Sequence, residues 1–328
     1  MDISQALKIV ARTDPGMVRS QNEDAVFAKP QRGFVVLADG MGGYNAGEVA
    51  SGMATTLLGT ELDKAFAQRP PHERVEGGKL WAHAALEAEI ARANGAIYQA
   101  ALSQPQYAGM GTTLVAAVFH DNSLTVAHIG DSRLYRLRGE EFQQITRDHS
   151  LLQEQIDAGL ITPEQAAFSA NKNLVTRAVG VEDTVLLETH QHEVQPGDVY
   201  LMCSDGLSDM LDDTAIAQVL QTHDSLQAGG QALIEAANDA GGKDNISVIL
   251  VRASGGAVTP ARSWWMSSAR TRCARCSISR AARGPISWSR WLPIRRRGTR
   301  PSTWCACAGR WSPSARSMLR SRSIPSSR

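Results

Sequence analysis

The sequence predicts an α+β domain built from antiparallel strands, and three observations support this prediction. Short apolar runs typical of core strands follow one another as neighbours, helical patterns are grouped before and after them, and Gly, Pro, Asp and Asn occupy the intervals between elements. The chain has 328 residues, 43% of them hydrophobic, which is enough for a substantial core.

Five segments have the length and composition of core strands. They are short, apolar and mostly rich in Val, Ile or Leu. The five segments are residues 34–38, 113–119, 124–129, 198–203 and 246–251. Residues 120–123 (HDNS), between the second and third of them, predict a hairpin turn, so these two strands are expected to pair antiparallel.

Three other segments show the apolar periodicity of helices, and they are residues 46–66, 80–102 and 226–238. Two long connections remain. Residues 67–79 are polar with a Pro pair and a Gly pair, and residues 147–176 are amphipathic but interrupted by Gly and Pro. The second connection is a candidate flap over a site.

Charge divides the chain into two parts. Residues 257–328 contain 16 Arg and no Lys, Asp or Glu, which leaves 18 Lys and Arg against 33 Asp and Glu in residues 1–256. An acidic domain repels the nucleic-acid backbone and suits divalent cations, so residues 1–256 are the predicted functional domain and no nucleic-acid partner is expected.

The segment 257–328 allows three interpretations. Its arginines suit a nucleic-acid or membrane arm, and its cysteines a zinc site, although no His lies nearby. These cysteines are Cys273, Cys276, Cys305 and Cys307. A composition of Arg, Ser, Trp, Pro and Cys without acidic residues is also what GC-rich DNA gives when translated out of frame. We favour this third interpretation, in which the segment is a frameshift product or disordered.

Cysteine use and hydropathy bear on the compartment. Cys203 is the only cysteine in residues 1–256, which is typical of a reducing environment. No segment reaches the roughly 18 consecutive apolar residues of a membrane span, and the first residues do not resemble a secretion signal. A cytoplasmic protein without membrane attachment is therefore expected.

Four aspartates lie at the ends of predicted strands: Asp39, Asp131, Asp205 and Asp244. Taken singly, each is explained by a turn, since Asp-Gly is a common hairpin signal. Taken together, they predict convergence, because acids fixed at the ends of several strands can meet at one point and supply the oxygen ligands that Mg²⁺ and Mn²⁺ prefer.

A further group lies upstream in residues 16–25 (GMVRSQNEDA), where Arg19 precedes Glu23 and Asp24. An Arg beside metal-binding acids suits a phosphate site, because its planar fork holds two phosphate oxygens. The alternative is a surface loop in which Arg19 pairs with its own neighbouring acids.

Six motifs together resemble the PPM family, the type 2C protein phosphatases. They occur in the family's order as GMVRSQNEDA, VLADGMGG, GMGTTLVAAV, HIGDSRLYRL, SDGL and GGKDNISVILV. The resemblance covers about residues 7–252 and is greatest to bacterial members that oppose Ser/Thr kinases of the Hanks type. It implies a four-layer α-β-β-α sandwich of two antiparallel sheets flanked by helices. The implied activity is hydrolysis of phosphoserine and phosphothreonine in proteins by a metal-activated water.

The resemblance also implies roles for individual residues. Asp39 is expected to bridge two Mn²⁺ or Mg²⁺ ions, with Asp205 and Asp244 completing one site and Glu23 and the Gly40 carbonyl serving the other. Asp24 and Asn245 are expected to act nearby through waters. A third ion is expected at Asp131 and Asp205. Arg19 is expected to hold the substrate phosphate, and residues 147–176 match the family's flap.

One position departs from the family pattern. Met41 stands where many members have a His proposed as general acid, and Met cannot donate a proton. His128 and His149 are candidate donors by residue type only, with a structural role as the alternative. A cognate Ser/Thr kinase and a monomeric state are expected, and a non-catalytic binding module of the same fold is the competing function.

Overall fold

The computed structural model describes residues 3, 5–43, 45–166, 169 and 174–254. The interpretations of segment 257–328 lie outside the described residues, as does part of the candidate flap.

The described residues form eleven strands and seven α-helices, besides two short 3₁₀ helices at Glu76–Gly78 and Pro105–Tyr107. In chain order they are β1 (Leu7–Asp14), β2 (Asp24–Lys29), β3 (Phe34–Met41), α1 (Ala46–Gln68), α2 (Trp81–Ser103), β4 (Gly111–Thr112), β5 (Leu114–His120), β6 (Ser123–Ile129), β7 (Arg133–Arg138), β8 (Glu141–Gln144), α3 (Leu151–Asp157), α4 (Pro163–Ala166), β9 (Glu188–Glu193), β10 (Val199–Cys203), α5 (Asp205–Ser208), α6 (Asp213–Thr222), α7 (Leu226–Asp239) and β11 (Ile246–Ala253).

The strands form two sheets in which every pair is antiparallel. The first sheet has the order β1-β11-β10-β7-β8, and the second has the order β2-β3-β5-β6-β9 with β4 added to the end of β3. The predicted hairpin is confirmed, since His120 pairs with Ser123 across a two-residue turn in which Asp121 has φ of 49°.

Alternation of side chains along the strands produces three apolar cores and therefore four layers. Val35 and Leu37 of β3 face the first sheet, while Phe34 and Val36 face α1 and α2. The first sheet repeats this division, since Ile249 lies between the sheets and Leu250 packs against α7. The α-β-β-α sandwich implied by the resemblance is confirmed.

The predicted strands and helices all form, with ends that coincide or are displaced by at most three residues. At β3 the difference affects the site, because the strand continues through Asp39 to Met41 instead of ending at Ala38. Asp39 pairs with Asp24 of β2, and Gly40 pairs with Thr112 of β4, so both neighbours extend the ladder.

Within the described part of the chain, none of the helices combines the length and the apolar character needed to cross a membrane.

Candidate active site

The predicted acids meet where the two sheets come together at one end, which we call the acidic site. The second sheet supplies Asp24 and Asp39, paired across β2 and β3, and Asp131, which follows β6. The first sheet supplies Asp205, the first residue of α5 after β10, and Asp244, which precedes β11. The site therefore contains carboxylates from both sheets.

Asp39 is central to the acidic site. Burial raises the pKa of its carboxyl well above the usual value, and the negative charges of Asp24, Asp205, Asp131 and Asp244 raise it further, in that order. Each carboxylate is thus near enough to repel it. The structure brings together all four strand-end aspartates that the sequence singled out.

The neighbouring acids show the same behaviour. Burial, followed by Asp131, Asp209 and Asp244, raises the pKa of Asp205 well above its usual value. Burial raises the pKa of Asp131 to about 6, with Asp148 as the largest charge contribution. Such a group of carboxylates is unfavourable without a compensating cation.

Only one of the two carboxylate oxygens of Asp24 has a hydrogen-bond partner among the described residues. Burial raises its pKa to about 6 despite hydrogen bonds that favour the ionised form. Its Oδ2 accepts a hydrogen bond of 2.8 Å from the Ser204 hydroxyl. Its Oδ1 is buried and has no hydrogen-bond partner among the described residues. A free buried oxygen beside other carboxylates fits a cation or its bound water.

Arg19 lies at the open side of the acidic site. Its Nη2 donates to Asp244 Oδ2 at 2.6 Å, and half of its side chain is exposed. This hydrogen bond is the largest of the effects that raise the pKa of Arg19, and the charges of Glu23 and Asp205 add to it. The ion pair is therefore made with a residue distant in sequence, unlike the local pairing of the surface-loop alternative.

Asn245 attaches the Arg19 loop to β11. Its Nδ2 donates to the carbonyl oxygens of Pro15 at 3.0 Å and Gln21 at 2.8 Å, and its Oδ1 accepts from the Glu23 amide at 2.7 Å. These three bonds hold the backbone on both sides of Arg19. Glu23 itself has a raised pKa, caused first by burial.

Two glycines of the motifs are required by close backbone contacts. A Cβ at Gly40 would lie 2.1 Å from the Gly47 carbonyl oxygen, and one at Gly206 would lie 2.0 Å from the Asn245 carbonyl oxygen. Both contacts are too short for any side chain. The strand β3 can therefore approach α1 only with glycine at position 40.

Sequence reasoning missed several residues around the acidic site. Ser204 links Asp24 to β11 by also accepting from the Ser247 amide at 3.0 Å, and Thr113 accepts from the Asp39 amide at 3.1 Å. Asp148 and Asp209 add negative charge next to Asp131 and Asp205. Only Asp209 carried a usable signal, since it follows Asp205 by four residues and so lies on the same side of one helical turn.

The two candidate proton donors have other partners. His128 Nε2 is 2.9 Å from the Arg147 carbonyl oxygen, and His149 Nδ1 accepts from the Gly130 amide at 3.1 Å. Burial is the first cause of a lowered pKa in both. Their rings stack on each other at 4.8 Å, which fits the structural alternative. Met41 pairs with Gly111 at the end of β3.

The donor set consists of oxygen atoms with a strong excess of negative charge, which fits Mg²⁺ or Mn²⁺ and not a soft metal ion. A guanidinium beside such ions suits a phosphoryl group. Fold and site together define the class of metal-dependent phosphoester hydrolases on a four-layer sandwich.

Comparison with known proteins identifies one family within this class of hydrolases. The family model "Protein phosphatase 2C" matches residues 18–247. The serine/threonine phosphatase stp of Listeria welshimeri is 40% identical over 243 residues, which are 73% of this chain and 93% of that protein. The serine/threonine protein phosphatase PstP of Mycobacterium tuberculosis is also 40% identical, over 76% of this chain but only 45% of PstP.

Solved structures agree. A crystal structure of Mycobacterium tuberculosis PstP superposes with a TM-score of 0.68 at 38% identity, covering 76% of this chain and 99% of that one. The catalytic domain of PstP in complex with two manganese ions gives 0.66 at 38% identity, with the same coverage. The chain belongs to the protein phosphatase 2C family. It is a serine/threonine protein phosphatase, a hydrolase that acts on phosphorylated proteins.

Proposed function

We propose that residues 1–256 hydrolyse phosphoserine and phosphothreonine esters with two Mn²⁺ or Mg²⁺ ions held in the acidic site. Asp39 would contact both ions, Asp205 and Asp244 one of them, and Glu23 and the Gly40 carbonyl the other. Asp131 and Asp205 would hold a third ion, and Asp24 would act through water. When bound, the ions supply an activated water and neutralise the phosphoryl oxygens.

The observation that carries this proposal is the raised pKa of Asp39 amid four other carboxylates from two sheets. Carboxylates placed in this way repel one another, and a module that only binds partners gains nothing from keeping them. Divalent cations remove the repulsion.

Arg19 would bind the phosphate of the substrate. Its guanidinium already lies at the acidic site through Asp244, and its exposed half can turn toward an incoming phosphate. Asn245 is a positioning residue, because its three hydrogen bonds fix the loop on which Arg19 and Glu23 lie. Met41 has no proton to donate, so another group must protonate the leaving oxygen.

Residues 147–176 would act as the flap. The Thr176 amide donates to the His149 carbonyl oxygen at 2.8 Å, so residues near the two ends of this segment lie side by side. We further infer a monomer in the cytoplasm that opposes a Ser/Thr kinase. The buried thiol of Cys203 agrees with a reducing compartment, and burial raises its pKa to about 12.

The test is hydrolysis of a phosphothreonine peptide by the full chain with Mn²⁺, with Mg²⁺ and with EDTA. We expect activity only with a metal. Asp205→Asn should lower kcat/KM by about 100-fold or more, as for loss of a group that stabilises transition-state charge. Asp224→Asn, the same change at an exposed position in the loop between α6 and α7, should have no effect.

Two results would contradict the proposal. Full activity in EDTA would exclude the metal mechanism. Folded wild-type protein without activity in either metal would favour the non-catalytic binding module instead.

A further inference from the structure

A second group of potential metal ligands lies outside the acidic site. His128 on β6 pairs with Glu188 on β9, and His190 follows two positions along β9, so the three side chains share one face of the second sheet. One ligand atom from each lies within 4.8 Å of the other two. Val126, the residue opposite His190, packs between the sheets, which shows that this face turns toward the first sheet.

His128 has the geometry of a prepared metal ligand. The ring is fully buried, and its Nε2 lies 2.9 Å from the Arg147 carbonyl oxygen. A carbonyl only accepts, so Nε2 carries the proton and Nδ1 carries the lone pair. Nδ1 is buried without a hydrogen-bond partner among the described residues. A ligating His commonly donates its other N–H to a backbone carbonyl in this way.

Glu188 is held in place with one oxygen free for a cation. Its Oε1 lies 3.2 Å from His149 Nε2 and 3.3 Å from Arg177 Nη1. His149 accepts at Nδ1 from the Gly130 amide, so its Nε2 is the N–H that donates to Glu188. Burial acts to raise the pKa of Glu188, but this bond and the nearby positive charges outweigh it, and the pKa is lowered.

The remaining oxygen of Glu188 faces the third member of the group. Oε2 lies 3.6 Å from His190 Nε2, and the His190 ring is half exposed at the edge strand. Ligand atoms of a tetrahedral zinc ion are about 3.4 Å apart, given bonds of about 2.1 Å. The exposed His190 ring is free to rotate toward the other two ligands, whereas His128 and Glu188 are held by their hydrogen bonds.

We propose that His128, Glu188 and His190 form a site for a borderline transition-metal ion, with Zn²⁺ as the best match. Two imidazoles and one carboxylate with an open fourth position are a zinc ligand set. The oxygen-only acidic site differs in kind, because Mg²⁺ binds imidazole poorly. Exposure of His190 gives the ion a route from solvent.

The test is Zn²⁺ binding to the full chain saturated with Mg²⁺, measured by calorimetry and by ¹⁵N spectra of the histidine rings. We compare the wild type with His190→Ala and with His192→Ala. His192 lies two positions along the same face of β9 but outside the group, so it is the matched control. All three proteins share the cysteines of segment 257–328, which therefore cancel in the comparison.

We expect the wild type and His192→Ala to bind one more Zn²⁺ than His190→Ala, or to bind it at least about 100-fold more tightly. Zinc should shift the ring nitrogens of His128 and His190. Unchanged Mg²⁺-dependent activity in His190→Ala serves as the folding control. Equal Zn²⁺ binding by all three proteins, or spectra in which His128 and His190 do not shift, would overturn the proposal.

Discussion

Gly40 shows how strictly a single position constrains the acidic site. The residue lies in β3 directly after Asp39, and its Cα faces the backbone of α1 at Gly47 and of the loop at Glu23. Its own amide donates to the Glu23 carbonyl at 3.1 Å. Position 40 therefore fixes how closely β3 and the Glu23 loop, which both carry predicted ligands, approach α1.

We expect Gly40→Ala to lower the free energy of unfolding by about 2–3 kcal/mol, because the methyl group meets backbone that cannot rotate away. Metal-dependent activity should fall as well. Gly52→Ala is the matched control, since Gly52 lies within α1 with open space at its Cβ position. That change should add about 0.5–1 kcal/mol of stability. Urea unfolding measures both, and equal stability of Gly40→Ala and wild type would contradict the argument.

The sequence predicted which acids meet in the site but not the hydrogen bonds that hold them. The convergence of Asp39, Asp131, Asp205 and Asp244 could be predicted because strand ends are rigid and each acid follows or precedes an obvious strand. The contacts of Ser204 with Asp24 and of Asn245 with the Arg19 loop could not. They join residues about 180 to 230 positions apart, and no local pattern encodes them.

At the scale of elements, the β5–β6 hairpin carries a titratable group inside the fold. His120 is 4% exposed, and its Nε2 lies 2.9 Å from the Thr125 hydroxyl. Burial lowers the pKa of His120 to about 4, from an ordinary value of 6.5. Between these two values the unfolded chain binds a proton that the folded chain excludes.

This difference in pKa determines how the stability of the fold changes with pH. Stability from neutral His120 is present above pH 6.5 and is lost as the pH falls toward 4. By pH 4.5 the loss from this group should be about 2–3 kcal/mol. His120→Gln retains a polar partner for Thr125 but has no proton to gain, so its stability should fall less between pH 7 and pH 4.5. Urea unfolding at both pH values checks this, and identical losses in the two proteins would refute it.

Buried strands could be predicted from the sequence more readily than partly buried ones. The buried strands β3, β5, β6, β10 and β11 carry nearly continuous apolar runs and were predicted. The strands β1, β2, β4, β7, β8 and β9 were missed, β4 because its two residues are too few to form a pattern. The other five are only partly buried, and a segment such as Glu188–Glu193 (ETHQHE) has polar residues on both faces. The strands β1, β2, β8 and β9 lie at sheet edges, where water can replace apolar neighbours, while β7 is interior but has Arg at three of its six positions.

At the scale of the whole molecule, the acidic site spans the two sheets. Asp24, Asp39 and Asp131 come from the second sheet, while Asp205 and Asp244 come from the first. Without cations their repulsion acts across the contact between the sheets. With cations the same residues would connect the layers.

We therefore expect Mn²⁺ to raise the Tm of the full chain. At 100 times Kd the stabilisation is about 2.7 kcal/mol, which corresponds to roughly 5–10 °C for a domain of this size. Asp39→Asn should raise the Tm measured in EDTA, because it removes a buried like charge, and should lose most of the Mn²⁺ effect. Thermal scans with EDTA and with Mn²⁺ test this, and an Mn²⁺ shift that is the same in both proteins would contradict it.

The arrangement of the layers was the part least available from the residues themselves. Periodicity indicated antiparallel strands and flanking helices, but the assignment of strands to two sheets came from the family resemblance. The reason is physical, since the order β1-β11-β10-β7-β8 joins strands that are remote in sequence. Pairings of this kind leave no signature within any one segment.

The pairing of β1 with β11 has a consequence for the chain during its synthesis. β1 lies at the edge of the first sheet, and β11 is its neighbour in that sheet. At 5–20 residues per second, the ribosome makes β11 roughly 10–50 seconds after β1. Over that interval Asp244 and Asn245 do not yet exist, so Arg19 lacks its ion-pair partner and its loop lacks the three hydrogen bonds of Asn245. We therefore expect a nascent chain to be inactive toward phosphorylated proteins until β11 has been made.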